Sequence, residues 1–231
     1  MFSVLDMFTI GVGPSSSHTV GPMCAAQAFA SSLEESGAVS RVGRIRVVLY
    51  GSLSLTGLGH GTDRAILAGL EGNVPATVDT DYLLSVRERC AHDGTIHVNG
   101  TNAIAYDDDG DMVFDRWKRL APHPNGMRFQ AFDAQGNIID EQVWYSIGGG
   151  FIRRGRIDDA LISNHEQTPA SSQSPEDSGN DEAAEYGDGV PYPFVSCDGL
   201  IDLCRKHHLS IADVVWANET ARRSPQEVRD R

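Results

Sequence analysis

An α+β fold, a mixed α/β sandwich, is what this 231-residue sequence predicts over its first two thirds. Three observations lead there. Arg44–Tyr50, Met127–Asp133 and Ile138–Ile147 are rich in β-branched, aromatic and aliphatic residues and read as strands. Val20–Leu33 and Thr62–Leu70 carry apolar residues at spacings of three and four and read as helices. The two kinds of element do not alternate strictly, so the chain does not read as a run of repeated strand–helix–strand units.

The elements follow in order. Phe8–Gly13 reads as a short strand entering a Gly13-Pro14 turn. The Ala-rich helix Val20–Leu33 comes next, then the strand Arg44–Tyr50. Gly51–Gly61 reads as a glycine-punctuated loop, and Thr62 is placed to cap the helix Thr62–Leu70. Tyr82–Ala91 is a further helix, followed by short strands at Thr95–Asn99 and Ala103–Tyr106. Asp107–Asp111 (DDDGD) is a turn, and Met112–Phe114 a strand. The last two strands form a hairpin across Ala134-Gln135-Gly136-Asn137. Near the C-terminus, Cys197–His208 is helical, and Ser210 with Asp213 three residues on opens a second helix. Ser224-Pro225-Gln226-Glu227 opens a third.

The chain carries 32 acidic and 19 basic side chains, a net charge of −13, but the charge is unevenly spread. Residues 1–156 hold 13 basic and 17 acidic groups; residues 157–204 hold 11 acidic and no basic ones; residues 205–231 hold 6 basic and 4 acidic. The acidic part contains EQTPASSQSPEDSGNDEAAEYGDG, residues 166–189, whose composition cannot bury enough apolar surface to offset chain entropy. The expected division is a domain at 1–157, an acidic flexible linker or insertion at 158–190, and a short helical piece at 191–231.

Such a charge balance argues against a nucleic-acid partner, which needs clustered Lys and Arg, and against an anionic membrane surface. No apolar run reaches the length of a membrane span. Met1–Ile10 lacks a basic segment and contains Asp6, so a secretory signal is not expected and the cytoplasm is the expected compartment. Cys24, Cys90, Cys197 and Cys204 show no zinc or ferredoxin-like spacing, and disulfides are not expected in that compartment.

Three segments concentrate chemistry. Gly11–Thr19 (GVGPSSSHT) lies ahead of a helix, where backbone N–H groups and the helix dipole favour an anion. Ser15, Ser16, Ser17, His18 and Thr19 add short polar groups suited to a carboxylate or a phosphate. No Gly-Lys-Ser/Thr follows, so it is not a nucleotide phosphate loop. Gly51–Asp63 sets His60 between two glycines, where a ligand can approach closely and an imidazole can act as acid or base. In Pro122-His123-Pro124-Asn125-Gly126 two prolines restrict the backbone around His123. His92, His97, His165, His207 and His208 have no supporting pattern.

GPSSSHTVGPM (Gly13–Met23), GSLSLTGLGHGTDRA (residues 51–65) and HPNGM (His123–Met127) together closely resemble the motifs of iron–sulfur-dependent L-serine dehydratases, or L-serine ammonia-lyases, in the order and spacing of the single-chain bacterial type. The resemblance covers the N-terminal domain and the helical piece ending Val214–Glu219, which looks like the start of that family's second domain. It implies conversion of L-serine to pyruvate and ammonia, in serine catabolism and gluconeogenesis. A four-iron four-sulfur (4Fe-4S) cluster would act as Lewis acid on the substrate hydroxyl, without pyridoxal phosphate. A homodimer is the expected assembly. It further implies that Ser15, Ser16, Ser17, His18 and Thr19 hold the substrate carboxylate, that His60 is the base or proton shuttle, and that His123 and Asn125 line the same pocket. His18 and His123 join His60 as catalytic candidates, and Thr62 and Asp63 join the substrate-binding set.

One departure stands out. The family's cluster cysteines lie in its helical second domain, and Cys24, Cys90, Cys197 and Cys204 do not match them. No metal ligand is therefore assigned within this chain, which looks like the first part of a two-domain enzyme. Alone it is expected to bind no cluster and to lack dehydratase activity. The N-terminal domain also resembles an allosteric substrate-binding module of some serine-pathway dehydrogenases. The alternative is therefore a non-catalytic anion- or serine-binding domain, which would need neither His60 nor the His123 turn.

Overall fold

In the computed structural model the described residues are 10–164, 189–194 and 196–230. Contacts divide the chain into two units, one of them Thr9–Gln167 and the other including the C-terminal residues.

The first unit is an α+β fold built on a seven-stranded mixed sheet. Helix α1 (Gly21–Glu35) leads to the central strand β1 (Arg44–Tyr50), followed by α2 (Gly51–Thr56), a 3-10 turn at Gly57–His60, α3 (Thr62–Leu70) and α4 (Thr80–Asp93). Then come β2 (Thr95–Val98), β3 (Asn102–Ala105), a single helical turn α5 (Asp108–Asp111), β4 (Met112–Asp115) and β5 (Lys118–Leu120). The expected hairpin is present as β6 (Gly126–Phe132) and β7 (Ile138–Gly148), extended by β8 (Phe151–Arg154). The strand order is β2-β3-β1-β6-β7-β8, with β4 parallel to β1 over Val47–Tyr50. β1 and β6 run antiparallel, pairing Val47 with Phe129.

Alternation along β1 explains the layering. Ile45, Val47 and Leu49 point into the main core with Phe29 and Leu33 of α1, Ile66, Leu67 and Leu70 of α3, and Phe129 of β6. The Phe29 and Phe129 rings stack at 5.2 Å. Val48 and Tyr50 face the other way, onto Leu120, Val143 and Tyr145.

Several expectations need correction. Ile10–Gly13 forms no strand: Ile10 is exposed and the segment pairs with none, so it has no ladder to hold it; Phe8 and Thr9 lie outside the described residues. The Gly51–Gly61 loop is largely helical, as α2 and the 3-10 turn. Thr62 is the first residue of α3 rather than its cap; Gly61, at φ 67°, takes the left-handed turn ahead of it. The DDDGD segment closes into α5. The fold also continues past residue 157, because β9 (Leu161–Ser163) pairs with β5. Residues 165–188, most of the acidic segment, lie outside the described residues.

In the second unit the expected helices are α6 (Cys197–His207), α7 (Ile211–Thr220) and α8 (Pro225–Asp230). Ser210 and Asp213 form a reciprocal capping box at the start of α7. Val214 is fully buried, and Asn218 ties α7 to Tyr192 through two hydrogen bonds. Among the described residues no helix is long and apolar enough to cross a membrane.

Candidate functional site

The site forms where the C-terminal end of β1 meets the approach to α1. Here the chain makes a π-helical turn, Ser16–Val20, begun by Ser15, whose Oγ accepts the His18 backbone N–H at 3.1 Å. One extra residue per turn widens the turn and is a frequent mark of functional segments. It brings His18 toward α2, where its ring is bonded at Nε2 to Ser52 Oγ (3.0 Å) and at Nδ1 to Ser17 Oγ (2.9 Å).

Two threonines stitch the first and second motifs together reciprocally. Thr19 Oγ1 donates to the His60 carbonyl at 2.9 Å, and Thr62 Oγ1 donates to the His18 carbonyl. Both threonines are buried. The stitch sets the His18 and His60 rings 5.0 Å apart, centroid to centroid, tilted by 41°. His60 Nδ1 lies 2.9 Å from the Thr56 carbonyl. A carbonyl only accepts, so Nδ1 carries the hydrogen and Nε2 keeps the lone pair. Burial, and then the neighbouring His60, holds the His18 pKa below the usual histidine value; a hydrogen bond to the Ser52 backbone opposes the shift. His18 is accordingly neutral at pH 7.

The third motif joins through its backbone. The Pro124 carbonyl accepts the Ser52 N–H at 2.9 Å. This contact explains Gly51: at φ 57°, a Cβ there would sit 2.2 Å from the Pro124 oxygen. Asn125 Nδ2 donates to the Ser146 carbonyl (3.1 Å), and Ser146 Oγ donates to the Ser17 carbonyl (2.7 Å). His123 Nδ1 accepts the Asn125 N–H at 3.1 Å, and its ring lies 6.1 Å from that of Tyr145. Burial and then Arg153 hold His123 below the usual histidine value.

The structure therefore brings Ser15, Ser17, His18, Thr19, His60 and Thr62 into one hydrogen-bonded cluster, with Asn125 attached through Ser146. Ser16 is exposed beside them. Thr19 and Thr62 commit their hydroxyl hydrogens to backbone, so they shape the loops. Among the described residues His123 makes no hydrogen bond or ring contact with His18 or His60; its ring neighbour is Tyr145. Asp63 turns away from the cluster. It is 3 % exposed and paired with Arg87 of α4. Arg87 also grips Asp108 through Nε (3.1 Å) and Nη2 (2.8 Å).

Ser52 and Ser146 belong to the cluster although sequence reading did not single them out. Ser52 lay in plain view within the second motif. Ser146 is one residue of a long strand, and only the sheet places it beneath Ser17. A separate groove of about 680 Å³ lies at the opposite end of β1, lined by Arg44, Arg46 and the Phe132–Gly136 turn. No residue of the cluster lines it.

A half-buried histidine pair flanked by serine hydroxyls is an arrangement that can take up or deliver a proton beside a small polar group. Comparison with known proteins narrows this. Residues 3–156 match the family described as serine dehydratase beta chain, and the chain belongs to that family. It is 40% identical over 228 residues to an L-serine dehydratase of Streptomyces coelicolor, covering 99% of this chain and 46% of the relative. It is 39% identical over 232 residues to L-serine dehydratase 1 of Escherichia coli, covering 99% and 45%. An L-serine dehydratase of Haemophilus influenzae is 35% identical over 222 residues, 96% of this chain and 44% of the relative. The chain thus spans under half the length of the curated relatives it matches.

Proposed function

We propose that this chain is the substrate-binding portion of an L-serine ammonia-lyase, acting in the cytoplasm to convert L-serine to pyruvate and ammonia. The observation that carries the reading is the His18–His60 pair, 5.0 Å apart on stitched loops, with the His60 Nε2 lone pair left open among the described residues. The exposed Ser16 hydroxyl, in the turn it shares with Ser15 and Ser17, receives the substrate carboxylate. His60 Nε2 takes the α-proton, and the Thr56 carbonyl holds the Nδ1–H of the resulting imidazolium. His18, kept neutral by burial, adds a polar contact without adding a charge beside His60.

The residues of this chain do not fit an iron–sulfur cluster. Cys90 is buried in the core, Cys24 and Cys204 are half-buried, and Cys197 is exposed. Among the described residues no group of three or more His, Cys, Asp or Glu side chains is placed to hold a metal ion. The reading therefore assigns any cluster to residues outside this chain and routes no step through it. It also carries the expectation of a homodimer.

Two measurements test it. L-serine at about 100 times its Kd should stabilise the chain by about 2.7 kcal/mol, seen as a raised thermal midpoint, with D-serine as the control. No shift from L-serine up to high millimolar concentration would sink the reading. In the longer protein, His60→Ala should abolish turnover while serine binding persists. Unchanged turnover would remove His60 from the chemistry and favour the non-catalytic serine-binding alternative.

A further inference from the structure

One residue touches all three motifs. Ser52 sits in the second motif, its hydroxyl meets His18 Nε2 of the first at 3.0 Å, and its backbone N–H meets the Pro124 carbonyl of the third at 2.9 Å. The two backbone neighbours of this contact are equally constrained. Gly51 has no room for a side chain, and the Ser52 carbonyl accepts the Thr56 hydroxyl at 2.9 Å. The Ser52 hydroxyl is thus held in place by its own backbone.

A neutral imidazole has one donor and one acceptor nitrogen, and the partners decide which is which. The hydroxyls around His18 can be ordered. Ser15 Oγ already accepts the His18 N–H and lies 3.4 Å from Ser17 Oγ, toward which its own hydrogen can point. Ser17 Oγ can then donate to His18 Nδ1, which leaves Nε2 as the donor to Ser52. In this arrangement every group is matched, and the Ser52 hydrogen alone is left to point elsewhere.

We propose that Ser52 is a positioning residue that, with Ser17 donating to the other nitrogen, holds His18 in the Nε2–H form with its ring fixed beside His60, and that the freed Ser52 hydrogen is a donor for the substrate. The second clause rests on the serine-lyase reading; the first does not.

The test is ¹⁵N spectroscopy of the histidine rings in the 231-residue protein near pH 8, where His18 is neutral. The wild-type chain should show His18 protonated at Nε2 in a single population. Ser52→Ala keeps the backbone N–H to Pro124, so the fold should persist by circular dichroism while His18 populates both forms. Ser52→Thr, which keeps the hydroxyl, should restore the single form. Ser17→Ala, which removes the donor to Nδ1, should likewise let His18 populate both forms. A wild-type proton on Nδ1, or a Ser52→Ala spectrum identical to wild type, overturns the proposal, and the first needs no variant to fold. L-serine affinity is then read by thermal shift, with Ser52→Ala expected to weaken it about tenfold and Ser52→Thr to recover it. If wild type binds L-serine but Ser52→Ala leaves His18 unchanged, the inference fails and the lyase reading stands. If the His18 proton redistributes but wild type binds no serine, the reading and the donor clause fail, and the positioning role stands.

Discussion

At the scale of single residues, the two histidines differ in what holds them. Among the described residues His60 is oriented by one backbone carbonyl and keeps an open nitrogen; His18 is bonded at both nitrogens and loses proton affinity on folding. That loss has a sign. The folded pKa of His18 lies below its ordinary 6.5, so above that value both folded and unfolded chains carry it neutral and it contributes nothing. As pH falls through 6.5 the unfolded chain takes the proton first, and stability is lost. His123 adds in the same direction. Urea unfolding between pH 8 and pH 5 should therefore show a decline that is shallower in His18→Gln. A decline equal in both proteins would show that His18 is not its source. His18, His60 and the serine run were legible in the sequence because the motif is dense. Ser146 was not, because a lone serine within an apolar strand carries no local signal.

At the scale of elements, the second motif is anchored twice, once into the site through Thr62 and once away from it through Asp63. Two adjacent residues at the start of α3 point to opposite tasks, as the roughly 100° step between helical neighbours requires. The second anchor reaches α4. Arg87 pairs with the buried Asp63 and with Asp108, which also accepts the Tyr106 hydroxyl at 2.8 Å. The Arg87 side chain is 31% exposed, so the full cost of breaking a buried pair does not apply. Arg87→Met should still cost about 2–4 kcal/mol, since it strands the Asp63 carboxylate in the interior. Equilibrium urea unfolding measures this; a loss under about 0.5 kcal/mol would mean that solvent replaces the guanidinium freely. Most strands and the long helices are legible from periodicity, with ends displaced by one or two residues, whereas the short β5, β8 and β9, of three or four residues each, are not. The Gly51–His60 segment was misread as a loop because its glycines look like punctuation, whereas Gly51 is there to clear the Pro124 carbonyl.

At the scale of the whole molecule, the net charge of −13 describes neither the site nor the sheet. The domain that carries the histidines is nearly balanced, and the surplus lies mostly in residues 157–204. The thiols are equally uninformative about the site: they are spread from α1 to α6, and none belongs to the hydrogen-bonded cluster. Anaerobic reconstitution with iron and sulfide should leave this chain without a cluster absorption band. About four irons per chain, with the band, would overturn the assignment of the cluster to residues outside it.

The sequence by itself determined the α+β class, the central strand, the hairpin, the capped C-terminal helices and the three polar motifs. Each of these depends on residues close together along the chain, where periodicity, caps and turn chemistry act. Only the tertiary structure decided which motif residues share a site. Thr19 and Thr62 became stitches, Asp63 became an ion-pair anchor, His123 turned toward Tyr145, and Ser52 and Ser146 entered the cluster. Those outcomes depend on contacts between residues 22 to 129 positions apart, which no local pattern encodes. They exist because the sheet sets the end of β1, the turn before β6 and the π-helical entry to α1 side by side.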